Sequence, residues 1–237
     1  MQKTKIEWTD YVWNPVTGCL HGCPYCYARK LAYRLKGRCG YPVDEPFRPT
    51  FHEERMEDLP DHNPGMCSGK KIFVSSMGDL FGEWVPEEWI NRVLLTVRAH
   101  PFATFIFLTK NPQRYSEINF PKNAWIGYST TGPLYHEWDS KHKDNVKFIS
   151  IEPMMGDITN IDYLRNTDWV IIGAESGNRK GKVKLDEQWL NDALVVLDKM
   201  KIPVFVKNNA GGIRQEYPME ARRDQSNPDD KMSVNVR

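Results

Sequence analysis

The stretch Thr104-Phe-Ile-Phe-Leu108, followed at once by Thr109-Lys110, is a short, near-continuous apolar run that stops on a hydroxyl and a cation. Such a run, rich in aromatic and β-branched residues, reads as a strand buried on both faces. The same event recurs in Ile72-Phe-Val-Ser-Ser76, Ala124-Trp-Ile-Gly-Tyr128, Lys147-Phe-Ile-Ser-Ile151, Trp169-Val-Ile-Ile172 and Pro203-Val-Phe-Val206, and a first strand is expected near Tyr11-Val-Trp13. The runs lie about 20 to 35 residues apart, the size of a strand–helix unit. Helical spacing appears between them. Residues 86–99 carry Trp89, Val93 and Val97, and residues 186–200 carry Trp189, Ala193, Leu194 and Leu197 behind an Asp suited to capping. Residues 24–36 predict a first helix with Ala28, Leu31, Ala32 and Leu35 on one face. Alternating β and α elements predict an α/β fold with a covered parallel sheet. The count favours a partial or nearly closed parallel (β/α) barrel of about six to seven strands, with an open flavodoxin-like sheet as the alternative.

The 237 residues are 40% hydrophobic and 27% charged, enough for one ordinary core, so residues 1–220 are taken as a single barrel domain. Residues 221–237 form a polar tail without apolar periodicity. A formal net charge of +1 gives no whole-molecule attraction to nucleic acid. No apolar run approaches membrane-spanning length and the amino-terminal residues do not resemble a secretion signal, so the expected location is the cytoplasm, with no membrane partner.

Each strand gives way to polar residues: Gly78-Asp79, Thr109-Lys110, Ser129-Thr130, Glu152, Glu175-Ser176 and Lys207-Asn208. Ligands of parallel sheets and barrels bind at the carboxyl ends of the strands. Taken singly, Ser129 or Asn208 is more simply a turn former or cap. Lys110, Glu152 and Glu175 together, each hugging an apolar run, outline the mouth of a site.

The cysteine loop, Cys19-Leu-His-Gly-Cys23-Pro-Tyr-Cys26, comes after the first strand with the spacing C-x3-C-x2-C. Soft thiolates suit zinc and iron–sulfur clusters alike. Structural zinc asks for four closed ligands, and here Cys39 or His21 would have to supply the fourth. Three thiolates on one loop can instead hold three irons of a cubane and leave the fourth iron open. An odd count of five cysteines and no secretion signal argue against a disulfide framework. Cys39 and Cys67 are too few for a second cubane.

The cysteine spacing, with Tyr25 before the last thiol, resembles the signature of radical S-adenosylmethionine (SAM) enzymes. Met77-Gly78-Asp79 resembles their Gly-Gly-Glu stretch, with Met and Asp in place of Gly and Glu, and Ile171-Ile-Gly173-Ala-Glu175 resembles their glycine-bearing late strand. Over nearly the whole chain, Ile6-Glu-Trp-Thr-Asp10, Trp13-Asn-Pro-Val-Thr-Gly-Cys19, Ser76-Met-Gly-Asp79, Leu108-Thr-Lys110, Glu152-Pro153 and Gly173-Ala-Glu175-Ser-Gly177 resemble a bacterial and phage family of radical-SAM-like proteins of unknown function. That family usually has a longer gap between its first two cysteines. The resemblance implies a 4Fe-4S cluster on Cys19, Cys23 and Cys26, with SAM on the open iron. It also implies an electron from a flavodoxin- or ferredoxin-like donor and a 5′-deoxyadenosyl radical that takes hydrogen from an unknown substrate. Tyr25, Gly78, Asp79, Ser129 and Gly173 are then the candidates for SAM contacts. Lys110, Glu152, Glu175 and Lys207 are left to catalysis, substrate or mutual ion pairs.

The run Asn178-Arg-Lys-Gly-Lys182-Val-Lys184 places four cations after the late strand. Such a run is usually a solvated loop; on the mouth side it suits a phosphate-bearing substrate or a nucleic acid. Arg29, Lys30, Arg34 and Lys36 add charge on the first helix. Two further readings stay open: a zinc- or cluster-stabilised nucleic-acid-binding module, and a non-catalytic SAM-binding partner protein.

Overall fold

Seven parallel strands stand side by side in their chain order. The computed structural model describes residues 1–59 and 67–218, so the polar tail expected from residue 221 lies outside the described residues. The strands are β1 (Gln2–Lys3), β2 (Tyr11–Trp13), β3 (Val16–Thr17), β4 (Thr50–Phe51), β5 (Lys71–Val74), β6 (Thr104–Thr109), β7 (Ala124–Thr130), β8 (Val146–Ile151), β9 (Trp169–Ile172) and β10 (Val204–Val206). The main sheet runs β1-β2-β5-β6-β7-β8-β9-β10, and every pair in it is parallel except β1 with β2. Strands β3 and β4 form a separate antiparallel pair.

Because the order never reverses, the sheet lacks the switch point of a doubly wound, flavodoxin-like fold. It is wound one way, as a barrel is. Among the described residues no ladder joins the two ends. The edges are covered instead: β1 lies on β2, and residues 214–216 return along β10, Val206 N–H donating to the Arg214 carbonyl at 2.7 Å and Glu216 N–H to Val204 at 3.0 Å. Covering removes the hazard of a free edge without closure. Across the seam, Asn208 N–H donates to the Glu7 carboxylate at 2.8 Å.

Three α-helices serve the crossovers: α1 (Tyr27–Arg34), α2 (Glu87–Ala99) and α3 (Glu187–Met200). The Asp186 carboxylate caps α3 by accepting from Gln188 N–H at 2.8 Å, as its place before the apolar period predicts. Helix α2 buries Ile90, Val93, Leu94 and Val97. The first helix corrects the expectation. It begins at Tyr27 rather than at residue 24, and Leu31, predicted on the inner face, is 39% exposed, leaving Ala28 and Ala32 as its buried residues. The crossovers after β6, β7 and β8 contain short 3-10 helices instead of α-helices.

Side-chain alternation along each strand sorts the core into two layers. Ile72, Phe105, Phe107, Ile149, Val170 and Ile172 face the helices. Phe73, Ile106, Trp125, Phe148, Trp169 and Phe205 face the concave side, where Trp8 packs among them with ring centroids 4.8 Å from Phe73 and 6.4 Å from Trp169. Position 127 is glycine on this side because a Cβ there would come within 2.4 Å of the Phe148 ring.

Trp169 is fully buried and its indole N–H donates to the Glu216 carbonyl at 2.8 Å. Trp169→Ala is therefore expected to cost about 3–5 kcal/mol, whereas Leu31→Ala at the exposed helix position should stay within about 0.5 kcal/mol. Urea denaturation of the two variants measures both.

Candidate active site

The alternation that builds the aromatic floor also builds the site above it. Counting in steps of two from floor residues, Ile106 leads to Leu108 and Lys110, and Trp125 leads past Gly127 to Ser129. Phe148 leads to Ser150 and Glu152, Ile171 to Gly173 and Glu175, and Phe205 to Lys207. The last residues of each series rise at the carboxyl ends of the strands around one cavity of about 240 Å³. Trp8, Phe73 and Leu108 line it from below, and Cys19, Cys23, Tyr25 and Cys26 form one wall. Gly78, Asp79, Lys110, Ser129, Glu152, Glu175 and Lys207 also line it. Gly173 does not; its lack of a Cβ makes room for the side chains of Glu152 and Lys207, whose atoms lie 2.8 and 3.0 Å from where that carbon would be.

The cysteine loop is held in place by backbone and by one carboxylate. Gly18 pairs with Gly78 as an isolated parallel bridge, and Gly18 N–H donates to the Met77 carbonyl at 2.9 Å. A Cβ on Gly78 would lie 2.8 Å from the Gly18 carbonyl oxygen, so the close approach requires glycine. Asp79, 4% exposed, accepts from four donors: Phe81 N–H at 3.0 Å, the Thr109 hydroxyl at 2.7 Å, Lys110 N–H at 3.0 Å and His21 Nε2 at 2.8 Å. Its carboxylate thus ties the cysteine loop to the ends of β5 and β6. These hydrogen bonds keep its oxygens engaged within the protein, and Asp79 lines the cavity beside Gly78.

Cys26 is the N-cap of α1, its sulfur accepting from Arg29 N–H at 3.4 Å. Burial pushes the Cys19 thiol up to about 12. Burial also raises the Tyr25 and Tyr27 phenols, and the Tyr27 hydroxyl donates to the Ser76 carbonyl at 2.6 Å. Cys39 is exposed and does not line the cavity, and Cys67 is buried in the main core. Among the described residues no three His, Cys, Asp or Glu side chains converge on a single-ion position.

The strand-end charges divide into three arrangements. The Lys110 ammonium donates to the Ser129 hydroxyl at 2.9 Å and lies 5.7 Å from the centre of the Tyr25 ring, and burial lowers its pKa. Glu152 pairs with Lys207 at 2.6 Å and accepts from the Ser150 hydroxyl at 3.0 Å. Glu175 accepts from Arg179 at 2.7 and 2.9 Å and from Val183 N–H at 3.2 Å. It is an anchor for the cationic loop, and the Arg179 guanidinium holds its carboxyl below the usual carboxylate range.

Over residues 3–231 the sequence matches the family described as "Protein of unknown function (DUF5131)". The chain belongs to that family. No curated protein matches it significantly in sequence. The fold is similar to that of spore photoproduct lyase, solved in complex with a dinucleoside spore photoproduct. The TM-score is 0.54 with 11% identity, over 87% of this chain and 78% of that chain. At that identity the likeness speaks for an α/β barrel-like fold and for nothing finer. No helix among the described residues of this family member is long and apolar enough to cross a membrane.

Sequence reasoning missed Ser150, Trp8 and the organising role of His21. Ser150 had a signal, a hydroxyl inside the apolar run Phe148-Ile-Ser-Ile151. Trp8 lies in the stretch Ile6-Glu-Trp-Thr-Asp10 but outside any periodic pattern, so nothing in the sequence placed it in the cavity floor.

Asp79→Ala strands four donors, most of them buried, and is expected to cost about 3 kcal/mol or more, read as a shift of the urea midpoint. For Glu175 the folded pKa is depressed, so its stabilisation is complete above the ordinary value of 4.5 and is lost as pH falls through the lower folded value. The difference in Tm between the wild type and Glu175→Gln should therefore shrink on acidification below that value.

Proposed function

We propose that this chain is a radical SAM enzyme acting in the cytoplasm. One observation carries the proposal: the three loop cysteines share a single cavity with the strand-end charges, while among the described residues no three His, Cys, Asp or Glu side chains converge on a single-ion position of the kind structural zinc asks for. Of the two residues that could close a zinc site, His21 lines the cavity with its Nε2 on Asp79, and Cys39 does not line it. That donor set fits a 4Fe-4S cluster with one iron open. The barrel-like fold supports the same reading, being the one that the cysteine signature implies.

Cys19, Cys23 and Cys26 would hold the cluster. When bound and reduced by a flavodoxin- or ferredoxin-like donor, it supplies the one-electron cleavage of SAM to methionine and a 5′-deoxyadenosyl radical that takes hydrogen from substrate. The protein's part is orientation and electrostatics. Backbone at Gly78, the Ser129 hydroxyl and the Tyr25 ring are assigned to SAM, with Gly173 keeping the adjacent wall open. Lys110, an ammonium with no carboxylate partner among the described residues, is suited to an anionic group of SAM or substrate. The Glu152–Lys207 pair faces the substrate side as an adjacent acceptor and donor. The aromatic floor excludes water from below, which preserves a reactive carbon-centred species.

The test is anaerobic reconstitution with iron and sulfide, followed by dithionite and SAM, with chromatographic assay of 5′-deoxyadenosine. Product is expected from the wild type and none from Cys26→Ala. A cluster that forms and reduces yet yields no product with any reductant points to a non-catalytic SAM-binding partner. Stoichiometric zinc with no cluster sinks the enzyme reading.

A further inference from the structure

We infer that the substrate-side ligand of this cavity is a single-stranded nucleic acid, its phosphates held by Lys180, Lys182 and Lys184 and one nucleotide lowered into the mouth. The inference deepens the function proposed above and rests on the same site. Its first ground is that the cationic loop is built, not merely solvated. Glu175, buried and lining the cavity, accepts the Arg179 guanidinium from one side of the loop and Val183 N–H from the other. A charge-assisted, bidentate pair gives fixed geometry as well as energy. The loop is thereby folded around a cavity wall, and Lys180, Lys182 and Lys184 are left exposed, in no ion pair among the described residues. Glu175 and Tyr25 line the same cavity, so the anchor of the loop and the cysteine wall share it.

The second ground is the pair of aromatic rings on the cavity that Glu175 also lines. Tyr25 is half-buried and Tyr27 is 51% exposed, and both line the cavity. Cations that track a backbone, together with aromatic faces on which bases stack, are the two components of single-strand binding. An acidic peptide would use the lysines but has no use for the aromatic faces, and its carboxylates would meet Glu152. Inside, the Glu152–Lys207 pair, 2.6 Å apart, presents an acceptor beside a donor, with the Ser150 hydroxyl next to it. That combination matches the edge of a base better than it matches a second anion.

The third ground is size. At about 240 Å³ the cavity falls below the roughly 300–1,000 Å³ of a drug-sized ligand site, too small to enclose a whole second ligand. The lysines do not line the recess; they belong to the loop held by Glu175, which does. A ligand that satisfies both must extend beyond the cavity, with its charge outside and its reacting group inside. A paired base cannot enter such a recess without leaving its stack, which selects single strands over duplex.

The test is fluorescence anisotropy of end-labelled mixed-sequence 20-mers, one DNA and one RNA, titrated with the reconstituted protein across a salt series. Binding of at least one strand is expected, with the other arm telling DNA from RNA. Replacing all three lysines by Ala should weaken it on the order of 30-fold or more at 0.1 M salt and flatten the salt slope by about 2, since each phosphate contact contributes about 0.7 for single strands. The exposed positions make misfolding a poor explanation, and an unchanged Tm checks this. No binding of either strand overturns the inference, as does an unchanged slope in the triple variant, or polyglutamate competing as well as the strand. The same titration on protein with Cys19, Cys23 and Cys26 all replaced by Ala separates the two proposals. Strand binding kept there, with no SAM cleavage by the wild type, sinks the enzyme reading alone. SAM cleavage by a wild type that binds no strand sinks this inference alone.

Discussion

A buried carboxylate has to be supplied with donors, and the four supplied to Asp79 fix where everything else at the mouth can be. Two come from main chain, Phe81 and Lys110, one from the Thr109 hydroxyl at the end of β6, and one from His21 in the middle of the cysteine loop. A loop of glycines and thiols has little apolar surface with which to fix itself. Here its position is set by the Gly18–Gly78 approach on one side and by Asp79 on the other. The thiols face the cavity as a consequence of that clamp. Removing a donor or acceptor from a buried network costs the desolvation of the group left behind, so the cysteine loop is held stiffly.

The same physics divides the remaining charges. Asp79 and Glu175 sit on the cavity wall, yet both are fully engaged with protein, one holding the cysteine loop and the other the cationic loop. Lys110 and the Glu152–Lys207 pair have partners that leave room for a ligand: a hydroxyl in the first case, and in the second a pair whose outer edges face the cavity. The row of polar strand ends in the sequence does not distinguish these classes, because the residue type is the same and only the hydrogen-bond partners differ.

Much of the fold was legible because it rests on local chemistry. Runs such as Thr104-Phe-Ile-Phe-Leu108 and Trp169-Val-Ile-Ile172 can bury themselves only as strands in a covered sheet, and Asp186 before an apolar period can hardly be anything but a cap. The strand count and the one-way winding agree with the barrel expectation. Closure was not legible, since whether β10 meets β1 or is covered by its own continuation depends on residues 214–216, which carry no strand-like run. Leu31 was misplaced because the buried face of α1 is the narrow stripe of Ala28 and Ala32, one turn apart, and Leu31 falls beside it, so periodicity alone overstates its inner face. At the site, residue types were visible and roles were not. Asp79 looks like a ligand-facing acid in the sequence, and only the convergence of His21, Thr109 and Lys110, drawn from separate segments, turns it inward.

The link between fold and chemistry is the alternation of side chains along parallel strands. Each strand from β6 to β10 sends an apolar residue into the floor and, two or four residues later, a polar group above it, so the sequence that fills the core also aims the site. This couples the depth of the cavity to the size of the rings beneath it. Trp8, Phe73, Phe148 and Trp169 occupy the lower half of the interior, which confines any ligand to the upper rim, beside the thiols and within reach of the loops. A deeper barrel would enclose a whole small substrate. A shallow one leaves room only for the end of something larger.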